Sequence, residues 1–246
     1  AAAARTELRL TAVNGGLKNN AIPVESVACI MVENEAKARA AITEMEQALQ
    51  IEYHLTDPNL FVRAEAEQPA QNPLDAETTG KVLCMLTCLP NGIQAMSADI
   101  PGLVQTSLNL GILTTAEEEL CAVFSLRSSI DSQKEMLKNR LTCLMAQLGG
   151  HVEFEGEYTG WQYQEHSPLR ELMAEVFEEQ YGKAPKIEAI HAGLECGLFA
   201  GKIPGLDCVS IGPDLMEIHT PRERMSISSV QRVWRFLVEV LKRSKS

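Results

Sequence analysis

The stretch HAGLECGLF, residues 191–199, sets a histidine, a carboxylate and a cysteine among glycines, directly after the apolar run IEAI. A turn that only reverses the chain needs no such set of reactive side chains. Glycine lets a backbone approach a ligand closely or take positive φ. Residues that follow the carboxyl end of a strand face the crevice where open α/β sheets bind their ligands. The stretch therefore reads as a site at the end of a buried strand, and it gives this part of the chain an α/β character.

Working outward, KIEAI (186–190) and LDCVSI (206–211) are short, nearly continuous apolar runs of the kind expected in strands buried on both faces. They are flanked by two helical patterns. SPLRELMAEVFEEQYG has Ser167 placed as N-cap and Pro168 at the first helical position. SSVQRVWRFLVEVLKR ends in basic residues that suit a helix C-terminus. Helix, strand, strand and helix make a piece of an α/β sheet that is too small to be a whole one.

The preceding region has a different pattern. TELRLTAV (6–13) alternates apolar and polar residues, and NAIPVESVACIMV (20–32) supplies a second strand region. EAKARAAITEMEQALQIEY carries Ala38, Ile42, Met45 and Leu49 at helical spacing. LFVRAEAE (60–67) and HVEFEGEY (151–158) read as further strands, and TGKVLCMLTCLP (79–90) reads as a helix. SLNLGILTTAEEELCAVFSLRSS (107–129) is a hairpin turning at TAEEE. SQKEMLKNRLTCLMAQLGG is a helix with Met136, Leu137, Leu141, Leu144 and Leu148 on its apolar face, closing on glycines. Long helices among alternating strands predict an α+β domain, an antiparallel sheet with its helices on one face. It is expected to span residues 1–159, with the α/β segment at 160–246.

With 22 Lys and Arg against 33 Asp and Glu, the formal net charge is −11, and the acidic residues are spread along the chain. That balance excludes a nucleic-acid partner, which needs a basic face, and argues against an anionic membrane surface. No apolar run approaches the roughly 20 residues needed to cross a bilayer, so a soluble, cytoplasmic protein is expected. The seven cysteines are odd in number and scattered, mostly within apolar stretches, as expected of reduced core residues. Cys84 and Cys88 are four apart on a predicted helix but lack the second pair of a zinc site. The chain enters a strand from AAAARTELRL without an initiator methionine, the pattern expected of a fragment.

The candidate chemistry is as follows. His219 lies in the loop IGPDLMEIHTPRERM after the second apolar run, where a histidine is either a metal ligand or a surface residue. His191 and Glu195 leave the neighbouring run, so the two loops are expected to face one crevice. Arg127 ends a strand, positioned to pair with a substrate carboxylate or with Asp131. Asn20 opens NAIP, as a donor to an oxyanion or as a turn residue. Cys196 has His191 nearby but no oriented base and third group to make it a nucleophile. No GxSxG, P-loop, GxGxxG or HExxH motif is present.

GGLKNNAIPVES, SLRSSIDS, YTGWQ, SPL, IHAGLECGLF and VSIGPDLMEIHTPRERMSISSV, in this order, resemble the C-terminal half of the bacterial aminoacyl-histidine dipeptidases, or cytosolic non-specific dipeptidases. These are di-zinc metallopeptidases related to aminoacylases, carboxypeptidases and carnosinases. The resemblance implies a lid domain at 1–159 that carries a homodimer contact, followed by the returning end of an α/β catalytic domain. It implies hydrolysis of unblocked dipeptides, Xaa-His among them, by two zinc ions and a bridging water that a glutamate deprotonates.

By the same resemblance His219 is the last metal ligand and Arg127 grips the substrate's C-terminal carboxylate. Asn20 lies near the scissile carbonyl, and His191 with Glu195 lines the substrate pocket. The family's H-x-D motif, Glu-Glu pair and further aspartate have no counterpart in this sequence, so the chain alone is expected to be inactive. Alternative readings are a non-enzymatic dimerisation or binding module, and a carboxypeptidase or aminoacylase of the same clan.

Overall fold

The computed structural model of the chain describes residues 2, 5–68, 72–191, 193–218 and 220–244. In chain order the elements are β1 (Leu8–Gly15), β2 (Ser26–Val32), α1 (Glu35–Glu52), α2 (Ala76–Cys88), β3 (Gly92–Met96), β4 (Val104–Thr115), β5 (Leu120–Ser128), α3 (Asp131–Leu148), α4 (Pro168–Tyr181), α5 (Glu195–Lys202), β6 (Leu215–Met216), β7 (Arg224–Met225) and α6 (Ile227–Arg243).

Helix starts follow the local chemistry of the sequence. Asn34, Asp75, Ser167 and Ser226 cap α1, α2, α4 and α6, each accepting from a backbone N–H of the first turn. Pro168 occupies the first turn of α4, and Gly182 ends that helix at φ 68°, a left-handed conformation that costs glycine little.

The strands form a sheet of order β2-β1-β4-β3, with β5 also pairing β4. β1 and β2 are antiparallel, from Leu8↔Val32 to Gly15↔Ser26, with a bulge between Leu10 and Ala12 that shifts the register by one. The β4–β5 hairpin turns where expected, closed by the Ala116 N–H on the Glu119 carbonyl at 2.8 Å. β6 and β7 form a separate antiparallel pair.

The chain divides into two compact units, 1–92 with 108–126 and 139–152, and 93–107 with 127–138 and 153–246. In the first unit, Leu10 and Val13 of β1, Val82 and Met85 of α2 and Leu113 of β4 form the core, with Met145 and Leu148 of α3 packed on it. The loop before β2 crosses β4 so closely that a Cβ on Gly111 would meet the Asn19 carbonyl oxygen at 2.4 Å. In the second unit, Met173 and Val176 of α4 pack against Phe236 and Val240 of α6. Phe177 meets Phe236 edge-on at 5.8 Å between ring centres.

Several expected strands are absent. LFVRAEAE, HVEFEGEY, KIEAI and LDCVSI have no strand pairing among the described residues. Ile187 and Ile190, expected to be buried on both faces, are 55% and 61% exposed. Apolar composition makes a segment suited to a sheet, but a strand also needs a partner, and no described residue pairs with these segments as a strand. β3, which follows the segment read as a helix at 79–90, was not anticipated from the sequence.

Candidate functional site

Gly197 and Gly201 have packing duties. α5 begins at Glu195, whose carboxylate sits in the first turn, where the helix dipole favours it. A Cβ on Gly197 would meet the Thr159 carbonyl oxygen at 2.9 Å, and one on Gly201 would meet the Thr159 hydroxyl oxygen at 2.5 Å. These glycines therefore open one face of α5 to the YTGWQ segment. Gly160 in that segment is itself pressed against the Ser129 carbonyl, and its N–H donates to Asp131 Oδ1 at 2.9 Å.

Two strands converge on His191. Ser107 of β4 places its Oγ 2.6 Å from His191 Nε2. Arg127 of β5 donates from Nη1 to the His191 backbone carbonyl at 3.2 Å. Arg127 is half-buried, and no carboxylate among the described residues pairs with it. Asp131, the alternative partner weighed for it, instead pairs with Lys134 at 2.9 Å.

Burial first, and then the Arg127 charge, hold the His191 imidazole below its ordinary pKa, so the ring is neutral near pH 7. Burial pushes the Tyr158 phenol up, against the pull of Arg127 and Lys134, and keeps it protonated. Lys134 also donates to the Tyr158 carbonyl.

His191, Gly193, Tyr158, Trp161 and Ser128 help to line a cavity of about 310 Å³ within the second unit. Arg127 and Ser107 are not among its lining residues, and both contact His191, which is. The structure thus brings Arg127 and His191 together. Glu195 is exposed on α5 and has no polar contact with either. Asn20 is exposed in the other compact unit, in a loop whose Asn19 and Ala21 carbonyls accept from Asn109 Nδ2 at 3.0 and 2.9 Å.

His219 lies outside the described residues. In sequence it falls between β6 and β7, two residues after Glu217, the one non-glycine described residue at positive φ. Among the described residues no group of three or more His, Cys, Asp or Glu side chains could hold a metal ion, so they do not form a zinc site by themselves. No helix among them is long and apolar enough to cross a membrane.

Sequence reasoning missed Ser107 and Tyr158. Tyr158 opens YTGWQ, a stretch that already stood out, whereas nothing in SLNLG singles out Ser107.

Residues 11–243 match the family model described as peptidase family M20/M25/M40. The chain is 35% identical over 238 residues to the cytosol non-specific dipeptidase of Escherichia coli, covering 96% of this chain and 49% of that protein. The aminoacylhistidine dipeptidase of Vibrio alginolyticus superposes with a TM-score of 0.88 at 33% identity, again over 96% of this chain and 49% of the other. The aminopeptidase PepT of Bacillus cereus shares the fold alone, with a TM-score of 0.51 and 17% identity over 68% of this chain and 45% of that one. The chain spans about half the length of the relatives it matches.

Proposed function

The chain belongs to peptidase family M20/M25/M40, and on that premise we propose that the whole protein is a metal-dependent dipeptidase acting on unblocked dipeptides, Xaa-His among them. The names of the Escherichia coli and Vibrio alginolyticus relatives supply the substrate class. The observation that carries the reading is Arg127, a half-buried guanidinium with no described carboxylate partner, set against the histidine of the glycine-rich loop. Burying an unpaired cation is costly unless a ligand completes it. A dipeptide's C-terminal carboxylate matches the fork of the guanidinium.

In this proposal Arg127 clamps that carboxylate, His191 and Glu195 line the substrate pocket, and Asn20 lies near the scissile carbonyl. His219 is a ligand to one of two zinc ions. The remaining ligands must come from beyond the described residues. Residues 1–159 serve as lid and 160–246 as the closing part of the catalytic domain.

A homodimer through residues 1–159 belongs to the same proposal. It is supported by β2, which ends the sheet order and exposes Val27 and Met31. So does a cytoplasmic location, as the name of the Escherichia coli relative states for that protein.

Dipeptide hydrolysis by the whole protein, measured with and without a chelator, tests the reading. Turnover insensitive to chelation defeats it.

A further inference from the structure

Asn20 is exposed and its side chain has no hydrogen bond among the described residues, yet the backbone on either side of it is fixed. The Ala21 N–H donates to the Lys18 carbonyl at 3.3 Å, which closes a turn with Asn19 and Asn20 at its centre. The carbonyls of Asn19 and Ala21, which flank Asn20, both accept from Asn109 Nδ2 of β4, at 3.0 and 2.9 Å. Only the NH2 end of the amide can serve two carbonyls at once, because its oxygen end has no proton to give. The backbones also touch. A Cβ on Gly111 would meet the Asn19 Cα and the Lys18 carbonyl oxygen, each at 2.5 Å, and one on Gly16 would run into the Gly111 carbonyl. All of these residues belong to the first compact unit.

We propose that Asn109 is a positioning residue that grips the 18–21 turn against β4, so that the Asn20 amide is presented to the scissile carbonyl in one place. The presentation rests on the reading of Asn20 as lying near that carbonyl. The grip on the turn does not. β4 is paired on both sides, and such a strand is a stiffer support than a loop. The two peptide groups that adjoin Asn20 are held, while its own amide stays free for a ligand. Holding the turn matters because a displacement of about 1 Å in a group that acts on the reacting atoms can cost about 100-fold in rate.

Wild type, Asn20→Ala, Asn109→Asp and the double variant of the whole protein test the proposal. Asn109→Asp keeps the shape of the side chain and puts an oxygen where the donor was. Asn109→Ala removes the donor without adding a charge, and serves if the aspartate prevents folding. Hydrogen exchange read by mass spectrometry on the peptide covering residues 16–25 is expected to quicken in the Asn109 variants by about fivefold or more, the effect of losing at least one hydrogen bond. In dipeptide hydrolysis, Asn20→Ala is expected to lower kcat by about 100-fold, the cost of one oxyanion donor. Asn109→Asp is expected to lower kcat by about 10-fold or more, with KM little changed. The double variant should be no slower than Asn20→Ala, because residues that act through one another do not add.

Unchanged exchange of residues 16–25 in both Asn109 variants overturns the grip. An Asn109→Asp effect that multiplies with that of Asn20→Ala, or that falls on KM alone, overturns the positioning role, since a general loss of structure is indifferent to Asn20. An impaired Asn20→Ala beside an unimpaired Asn109→Asp also overturns the positioning role and leaves the reading of Asn20 standing. If Asn20→Ala turns over dipeptides as the wild type does, the reading of Asn20 fails and the positioning role with it, while quickened exchange still establishes the grip.

Discussion

Arg127 Nη1 donates to the backbone carbonyl of His191 at 3.2 Å, joining residues 64 apart in sequence through one half-buried cation. The guanidinium keeps most of its donors for something else, because it has five and this contact uses one. Arg127→Lys retains the charge and loses the fork. In the whole protein it is expected to raise KM for dipeptides about 10-fold to 100-fold, the equivalent of one or two charge-assisted hydrogen bonds. Steady-state kinetics on free and C-terminally amidated dipeptides check this. The amide should be a poor substrate for the wild type and should discriminate little between the two enzymes.

The neutral state of His191 makes stability depend on pH. Burial and then Arg127 lower its folded pKa, so below the unfolded value of about 6.5 the unfolded chain binds more protons than the folded one. Stability should therefore fall as pH drops from about 6.5 toward the folded pKa, and should then level off for this group. Urea unfolding between pH 5 and pH 8, for wild type and His191→Gln, measures it. The substitution should flatten this part of the profile.

Ser167 accepts from the Arg170 N–H at 3.1 Å and donates to Asp207 Oδ1 at 2.6 Å, while Asp207 Oδ2 accepts from the Leu169 N–H at 2.8 Å. One serine thus caps α4 and pins the 206–211 segment to it. Ser167→Ala removes the cap and leaves a part-buried carboxylate short of a donor, at an expected cost of about 1–3 kcal/mol. Thermal denaturation monitored at the helix signal tests it. No change would mean that the cap is dispensable.

Gly201 gives a prediction with opposing terms. Alanine gains at most about 1 kcal/mol over glycine from propensity, the value for a helix interior, and less in the last turn of α5, where Gly201 lies. The new methyl, however, would meet the Oγ1, Cβ and Cγ2 atoms of Thr159 at 2.5–2.7 Å. Overpacking of that kind costs about 1–3 kcal/mol, so Gly201→Ala should be destabilising on balance. Gly201→Ala with Thr159→Ser removes one of the clashing methyls and should recover part of the loss. Denaturant midpoints of the three chains decide the sign.

Leu113 of β4 belongs to the core cluster that includes Val82 and Met85 of α2, and its truncation to alanine should cost about 2–5 kcal/mol. The measurement is the denaturant midpoint at constant slope, because a changed slope would signal loss of two-state unfolding rather than of packing.

What was legible in the sequence was local. The cap at Ser167 and the periodicity of the four long helices α1, α3, α4 and α6 are set by residues within a few positions of one another. The β4–β5 hairpin was legible for the same reason. The glycines of 191–199 were visible in the sequence, but only the position of Thr159 shows that Gly197, with Gly201 beyond it, accommodates a neighbouring segment.

Alternation and apolar content at 6–13 and 107–129 were enough to place strands, and the family resemblance placed His191 and Arg127 in one site. The tertiary structure alone decided that KIEAI and LDCVSI have no strand partners among the described residues, and that Ser107, 84 residues from His191, closes on its ring. Strand pairing and side-chain contact depend on what another part of the chain places alongside. A hydrogen bond between distant residues leaves no periodic trace in either segment, so it becomes visible only when the chain is folded.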